Sequence, residues 1–392
     1  MTHYNYLIIG GGMTADAAVR GIREVDTKGS IGVIGQEPHP PYDRPPLSKK
    51  LWRGKPLESI WRKTETLDVD LHLGRIVQTL DLSNKRIIDD QGNARSFEKL
   101  LLATGGSPRR FPFGGDDILY YRTLDDYQKL RTLCKGKQRF AVIGGGFIGS
   151  EIAAALAMNG KDVVMLFPGE GIGARMFPHE LSQFLNQYYQ EKVLPGSLAT
   201  DLTRQGEELR LSVRDGRTGT EKSILVDGVV AGIGIEPNTA LAQNAGLPVD
   251  NGIVVDEYLR AGNPAVYAAG DVANFYNPAL GRRIRVEHEN NALTMGRYAG
   301  RNMAGETTPY HYLPYFYSDL FELGYEAIGL VDSRLETIPD WSTPYQKGVI
   351  YYRQDRRVRG VLLWNVWEKV GAARDLIAEP GPFEPEALPG RL

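Results

Sequence analysis

At 392 residues, with 46 Lys+Arg against 48 Asp+Glu and a formal net charge of −2, the chain is long enough for two or three domains and lacks the basic excess that nucleic acid or an anionic membrane surface attracts. Its one cysteine excludes an intrachain disulfide and cysteine-ligated zinc or iron–sulfur centres, so no metal site is expected. No apolar run reaches the ~20 residues that span a bilayer, and with no charged leader or Arg/Ser-rich presequence at the start the expected setting is cytoplasmic.

The first element is the apolar run Tyr6-Leu7-Ile8-Ile9, which meets Gly10-Gly11-Gly12-Met13-Thr14-Ala15. This reads as a strand, a glycine turn and a helix. Ala18, Ile22 and Val25 keep helical spacing, and Ile31-Gly32-Val33-Ile34 is the next strand. Gly10 permits the sharp bend, Gly12 lets the backbone approach a pyrophosphate, and Ala15 allows tight helix–strand packing. The helix N-terminus offers unpaired N–H groups and a positive dipole end. Glu37 ends the second strand, where a carboxylate can accept both ribose hydroxyls of a dinucleotide.

Residues 41–49, Pro-Tyr-Asp-Arg-Pro-Pro-Leu-Ser-Lys, cannot be one continuous helix because the prolines forbid it. A rigid loop carrying Arg44 and Lys49 suits a flavin cover, with Arg44 on pyrophosphate and Lys49 near N5, where a cation stabilises the charge of reduced flavin. The plain alternative is a proline-stiffened surface loop with solvated charges. Leu100-Leu101-Leu102 is a buried strand running into Ala103-Thr104-Gly105. Residues 116–137 read as a linker and a helix that carries Cys134.

The plan then repeats. Phe140-Ala141-Val142-Ile143 precedes Gly144-Gly145-Gly146-Phe147-Ile148-Gly149, and Gly144, Gly146 and Gly149 match the full G-x-G-x-x-G spacing. Glu151, in the first turn of the following helix, is either a partner for the helix dipole or a group facing a nicotinamide. Val163 to Phe167 is the second strand. Beyond it lie Glu170, an acid that would favour NADH, and Arg175, which would accommodate a 2′-phosphate. NADH is the expected coenzyme, with NADPH the alternative. Residues 229–234, ending at Gly234, are the counterpart of the 103–105 turn. After Pro237 the chain returns to the first unit with an apolar strand ending in Gly270-Asp271 and a helix over 291–302. Arg282, Arg283 and Arg285 read as a solvated strand edge, with attraction of an acidic electron carrier as the alternative. From about residue 310 the composition turns aromatic and strand-rich, and the Pro- and Glu-rich tail from Glu379 reads as loose.

Two such turns in one chain point to two dinucleotides, FAD in the first and NAD(P)H in the second. The combination of 10–15, 41–49, 103–105, 144–151 and 270–271 resembles the two-dinucleotide flavoprotein reductases of the ferredoxin/rubredoxin-reductase group. Arg285-Val286-Glu287-His288, Tyr325 to Gly329 and Leu363-Trp364-Asn365 resemble signatures of its apoptosis-inducing-factor branch.

The resemblance implies an α/β fold of two Rossmann-like dinucleotide-binding domains (glutathione-reductase-like) plus a C-terminal α+β domain. The FAD domain would be built from 1–110 and 239–310, the NAD(P)H domain from 111–238 and the C-terminal domain from 311–392. It implies that Glu37, Arg44, Lys49 and Asp271 hold FAD, and that Phe147, Glu151, Gly234, Glu287, His288 and Glu326 border the nicotinamide. Lys49 and Glu151 would form an ion pair. Tyr317 stands where the branch has a tryptophan near the flavin, Gly169 where it has an acid, and Arg175 where it has a lysine.

Lys49, Glu151 and His288 are therefore the candidate catalytic residues. Phe316, Tyr317, Trp364 and Trp367 either wall the flavin or pack a core. Disulfide reduction needs a redox cysteine at the flavin, and Cys134 lies in the helix between the units, so that route is rejected. The leading expectation is an NADH-dependent reductase that passes electrons to a small iron–sulfur carrier of the ferredoxin or rubredoxin type. The alternative is an apoptosis-inducing-factor-like switch that forms a long-lived charge-transfer complex and, as a homodimer or otherwise, binds a partner.

Overall fold

The computed structural model describes residues 1–189 and 193–392. These fall into two compact units, one made of Met1–Arg44, Leu57–Ser107 and Glu236–Tyr315, the other of Pro45–Pro56, Pro108–Ile235 and Phe316–Leu392.

In the first unit the strand Thr2–Ile9 is flanked by Ile31–Gly35 and Ala94–Leu102, both parallel to it. Ile8 lies opposite Val33 on one side and Leu101 on the other. Asp70–Leu73 extends the sheet beyond Ile31–Gly35, and Val266–Ala268 and Arg260–Asn263 extend it beyond Ala94–Leu102. Ile31–Gly35 and the last residues of Thr2–Ile9 and Ala94–Leu102 are buried on both faces of the sheet, which is why they read as continuous apolar runs rather than alternating ones. Two helices, Met13–Val25 and Glu289–Met303, pack against one another. The expected helix over 291–302 is this second one, begun two residues earlier.

The second unit repeats the doubly wound plan. Its parallel sheet runs Val193–Pro195, Asp162–Phe167, Arg139–Ile143, Gly228–Ala231 and Ile118–Tyr120. The last of these corrects the sequence reading, since the stretch taken as a linker supplies an edge strand. Three residues are too few to show a period. An antiparallel sheet of Ser197–Gln205, Glu208–Asp215 and Glu221–Val226 caps the inserted part. The C-terminal part is a five-stranded sheet in the order Tyr315–Leu320, Leu323–Gly329, Arg357–Trp364, Lys347–Gln354 and Glu336–Thr343, followed by the helix Val370–Ala378.

The tail is a second correction. Leu388 and Phe383 are buried, the Phe383 N–H donates to Arg356 O at 2.8 Å, and the Arg353 guanidinium donates to Phe383 O at 2.7 Å. Two apolar anchors and these backbone bonds outweigh the Pro/Glu composition. Among the described residues no helix is long and apolar enough to cross a membrane.

Candidate functional site

Each glycine turn is a cradle whose shape follows from what a side chain would meet. Gly10 has φ +124°, and a Cβ there would lie 2.0 Å from Ala103 O. Gly144 has φ +123°, with Gly232 O at 2.3 Å from the same imagined atom. Only glycine tolerates either position. Gly149 passes 2.0 Å from Gly144 O on the same measure, so helix and turn close on one another. Gly12 and Gly146 differ. Each is the N-cap of its helix, extended in backbone, with nothing within 4 Å of a would-be Cβ. Both helix starts therefore face open space, and a helix start is where backbone donors suited to a diphosphate gather. Ala15 is fully buried behind the first turn.

Around the first cradle the unit gathers charge. Glu37 accepts from Tyr42 Oη at 2.6 Å and from the Arg44 guanidinium. Arg44 also lies over the Tyr42 ring at 5.3 Å and in the field of Asp271. Burial would lower the Arg44 pKa, but the charges of Tyr42, Glu37 and Asp271 and the bond to Glu37 hold it above its ordinary value. Asp271 sits in the turn Gly270–Val272. Gly270 has φ +79°, and Thr14 Oγ1 would lie 2.3 Å from a Cβ there, so this turn packs on the start of the first helix. Ala103, Thr104 and Gly105 follow the strand end, with Thr104 and Asn238 exchanging bonds of 2.7 and 2.9 Å. An FAD diphosphate, ribose and ribityl chain fit these groups: an open helix N-terminus, an acid at the second strand end, a guanidinium and an acidic turn.

The reading of Arg282, Arg283 and Arg285 as a solvated strand edge holds for Arg282 and Arg283, which are exposed on the edge strand Arg282–Ile284, and is overturned for Arg285. Arg283 donates to Val255 O and Asn274 O at 3.0 and 2.9 Å. Arg285, with an 11 % exposed side chain, bonds Asp271 O at 3.0 Å and pairs with Glu287 at 2.7 Å. The Asp271 carbonyl, in a turn outside the sheet, needs a donor, and Arg285 supplies one. His288 is the N-cap of Glu289–Met303 and makes no side-chain cap.

In the second unit Lys49 and Glu151 meet. Pro45–Ser48 and Lys50–Arg53 form two 3₁₀ turns, pinned where Trp52 Nε1 and Tyr121 Oη both donate to Leu47 O, at 2.7 and 2.5 Å. This places Lys49 Nζ 2.7 Å from Glu151 Oε1. Glu151 is 4 % exposed and takes two further donors, Ser48 Oγ on Oε2 and Ser318 Oγ on Oε1, each at 2.5 Å. A bare dipole partner would need none of these. Sequence reading missed Ser318, which stands far along the chain with no motif around it. The Lys49 ammonium also lies 5.3 Å over the Tyr317 ring.

Phe147 meets Phe316 edge to face at 5.1 Å. Gly234, φ +91°, accepts from the Arg109 N–H at 3.0 Å. Glu326 lies on Leu323–Gly329 with Oε2 buried and unpartnered, and burial pushes its carboxyl up. Glu170 and Arg175 are not drawn into this cluster. Glu170 is 83 % exposed and 3.6 Å from His179, and Arg175 is exposed. Of the aromatics proposed as walls, Trp364 is core: it stacks on Tyr325 at 5.6 Å with Phe177 at its edge, and its Nε1 donates to Tyr345 O. Among the described residues no group of three or more His, Cys, Asp or Glu is placed to hold a metal ion.

Residues 4–296 match the family model for pyridine nucleotide-disulphide oxidoreductases, and 299–344 and 339–379 match the C-terminal model of mitochondrion-associated apoptosis-inducing factor. The chain is 35 % identical to apoptosis-inducing factor 1 of Dictyostelium discoideum, over 97 % of its own length and 79 % of the relative's. It is 32 % identical to the ferredoxin–NAD(+) reductase component of the anthranilate 1,2-dioxygenase system of Burkholderia cepacia, over 98 % and 96 %. Its fold is similar to that in the crystal structure of the covalent putidaredoxin reductase–putidaredoxin complex, with a TM-score of 0.90 at 28 % identity, covering 98 % of this chain and 95 % of the other.

Proposed function

The chain belongs to the pyridine nucleotide-disulphide oxidoreductase family and is an FAD-dependent NAD(P)H oxidoreductase; from that premise we propose that it takes hydride from NADH onto FAD and passes single electrons to a small iron–sulfur or rubredoxin-type carrier. Bound flavin supplies the two-electron to one-electron conversion. The chain's own residues supply binding and charge. Gly10, Gly12, Ala15, Glu37, Arg44, the 103–105 turn and Gly270-Asp271 are assigned to FAD. Gly144, Gly146, Phe147, Gly149, Gly234, Glu287, His288 and Glu326 are assigned to the coenzyme. The corresponding domains are 1–110 with 239–310, 111–238 and 311–392. The proposal includes a cytoplasmic setting, to be read by cell fractionation.

The observation that carries the reading is the buried Lys49–Glu151 pair. An ammonium fixed by a carboxylate that is itself held by two hydroxyls costs little reorganisation when negative charge develops beside it. Lys49→Ala is expected to slow anaerobic flavin reduction by NADH about a hundredfold, in the range seen when one preorganised donor is lost. Reduction at the wild-type rate would remove Lys49 from the mechanism. Turnover with purified ferredoxin and rubredoxin tests the carrier, and failure with both argues for the second reading.

That second reading is a redox switch. It is favoured by the match of 299–344 and 339–379 to the apoptosis-inducing-factor C-terminal model. Light scattering with and without NADH, together with a persistent long-wavelength absorbance band, reads it out, including any homodimer.

A further inference from the structure

Asp16 lies in the first helix just after Gly12 and is fully buried. A carboxylate there shares the positive helix end with the anion that the turn is shaped to hold. A buried charge persists only when it is fully matched, and this one is. Arg20 Nε donates at 2.9 Å, Arg62 Nε at 2.6 Å and Thr64 Oγ1 at 2.7 Å. The other arm of the Arg62 guanidinium donates to Asp43, the residue before Arg44. The backbone closes the same junction. The Asp43 N–H bonds Ile60 O at 2.9 Å, the Arg62 N–H bonds Pro41 O at 3.1 Å, and Arg20 Nη2 bonds Arg62 O at 2.6 Å. One guanidinium thus spans the first turn of the nucleotide helix and the loop that carries Arg44.

We propose that Asp16, Arg62 and Asp43 form a latch that presets Arg44 for the FAD diphosphate, so that Arg62 and Asp16 are positioning residues for cofactor retention. Arg44 leaves the loop between Asp43 and Pro45, where its aim follows the loop's angle to the helix. Arg62 fixes that angle by serving two carboxylates at once. A lysine is a point donor and cannot reproduce such a span. The inference rests on the assignment of FAD to this turn.

The test is the rate of FAD release from the holoprotein, followed by the rise of free-flavin fluorescence on dilution, for wild type, Arg62→Lys, Asp43→Asn and the double variant. Each single change is expected to speed release about tenfold, since a hydrogen bond to a charged group is lost. The double variant should release no faster than Arg62→Lys, because both changes open the same latch. Thermal midpoints in a fixed excess of FAD should fall by no more than the tenfold weaker binding accounts for. Wild-type release rates in the single variants, or multiplying effects in the double, overturn the latch, as does a fall in midpoint without faster release. A wild-type protein that holds no FAD overturns the assignment beneath it instead.

Discussion

Glu151 and Glu326 show how far one residue type can diverge. Glu151 takes three donors. Glu326 Oε2 has none, and burial raises its pKa. For Glu326 the folded state therefore holds its proton to higher pH than the unfolded chain. Its contribution to stability is lost as pH rises from the ordinary carboxylate value through the folded one. We expect Glu326→Gln to remove that component, flattening the fall of urea-unfolding free energy with pH above the ordinary carboxylate range, while weakening NADH binding. Parallel pH slopes in mutant and wild type would show that the carboxyl is solvated. The types and positions of both acids were legible in the chain. The Lys49 partner of Glu151 was expected from the resemblance, but its hydroxyl donors were not, since Ser318 stands 167 residues away in the chain.

Among elements, the pairing of Met13–Val25 with Glu289–Met303 depends on glycine for contact rather than for turning. A Cβ on Gly300 would lie 2.1 Å from Ala18 O, one on Gly296 2.5 Å from Thr14 O, and one on Gly21 2.2 Å from Arg297 O. Gly300→Ala gains about 1 kcal/mol of helix propensity. Against that, backbone atoms must move apart in a packed seam, at a cost of about 1–3 kcal/mol. We expect net destabilisation, read as a lower urea midpoint with unchanged slope, and an unchanged or higher midpoint would contradict close helix contact. The two helices could be found from periodicity, but their seam could not, since a mid-helix glycine carries no mark of what lies opposite. The edge strand Ile118–Tyr120 and the packed tail were hidden for a related reason: both owe their conformation to neighbours rather than to local pattern.

For the molecule as a whole, the family is named for disulphide chemistry, yet this chain has a single cysteine. Cys134 is half-buried in Leu124–Gly136, and burial raises its thiol pKa, so little of the reactive thiolate forms near neutral pH. Cys134→Ser should retain full NADH-dependent reduction of one-electron acceptors, and the wild type should alkylate slowly with iodoacetamide. Loss of activity in that variant would reopen a thiol route. By itself the sequence determined the two dinucleotide turns, their order, the acids at 37 and 151 and the lack of a cysteine pair. Glycine spacing and apolar runs are local, and each turn's chemistry is complete within a few residues. Only the tertiary structure decided that Glu151 is shared among Ser48, Lys49 and Ser318 and that Arg62 joins Asp16 to Asp43. It also decided that Arg285 serves the Asp271 carbonyl rather than solvent. Charge pairing acts through space between segments distant in the chain, and a carboxylate's partners are whatever donors the fold delivers to it.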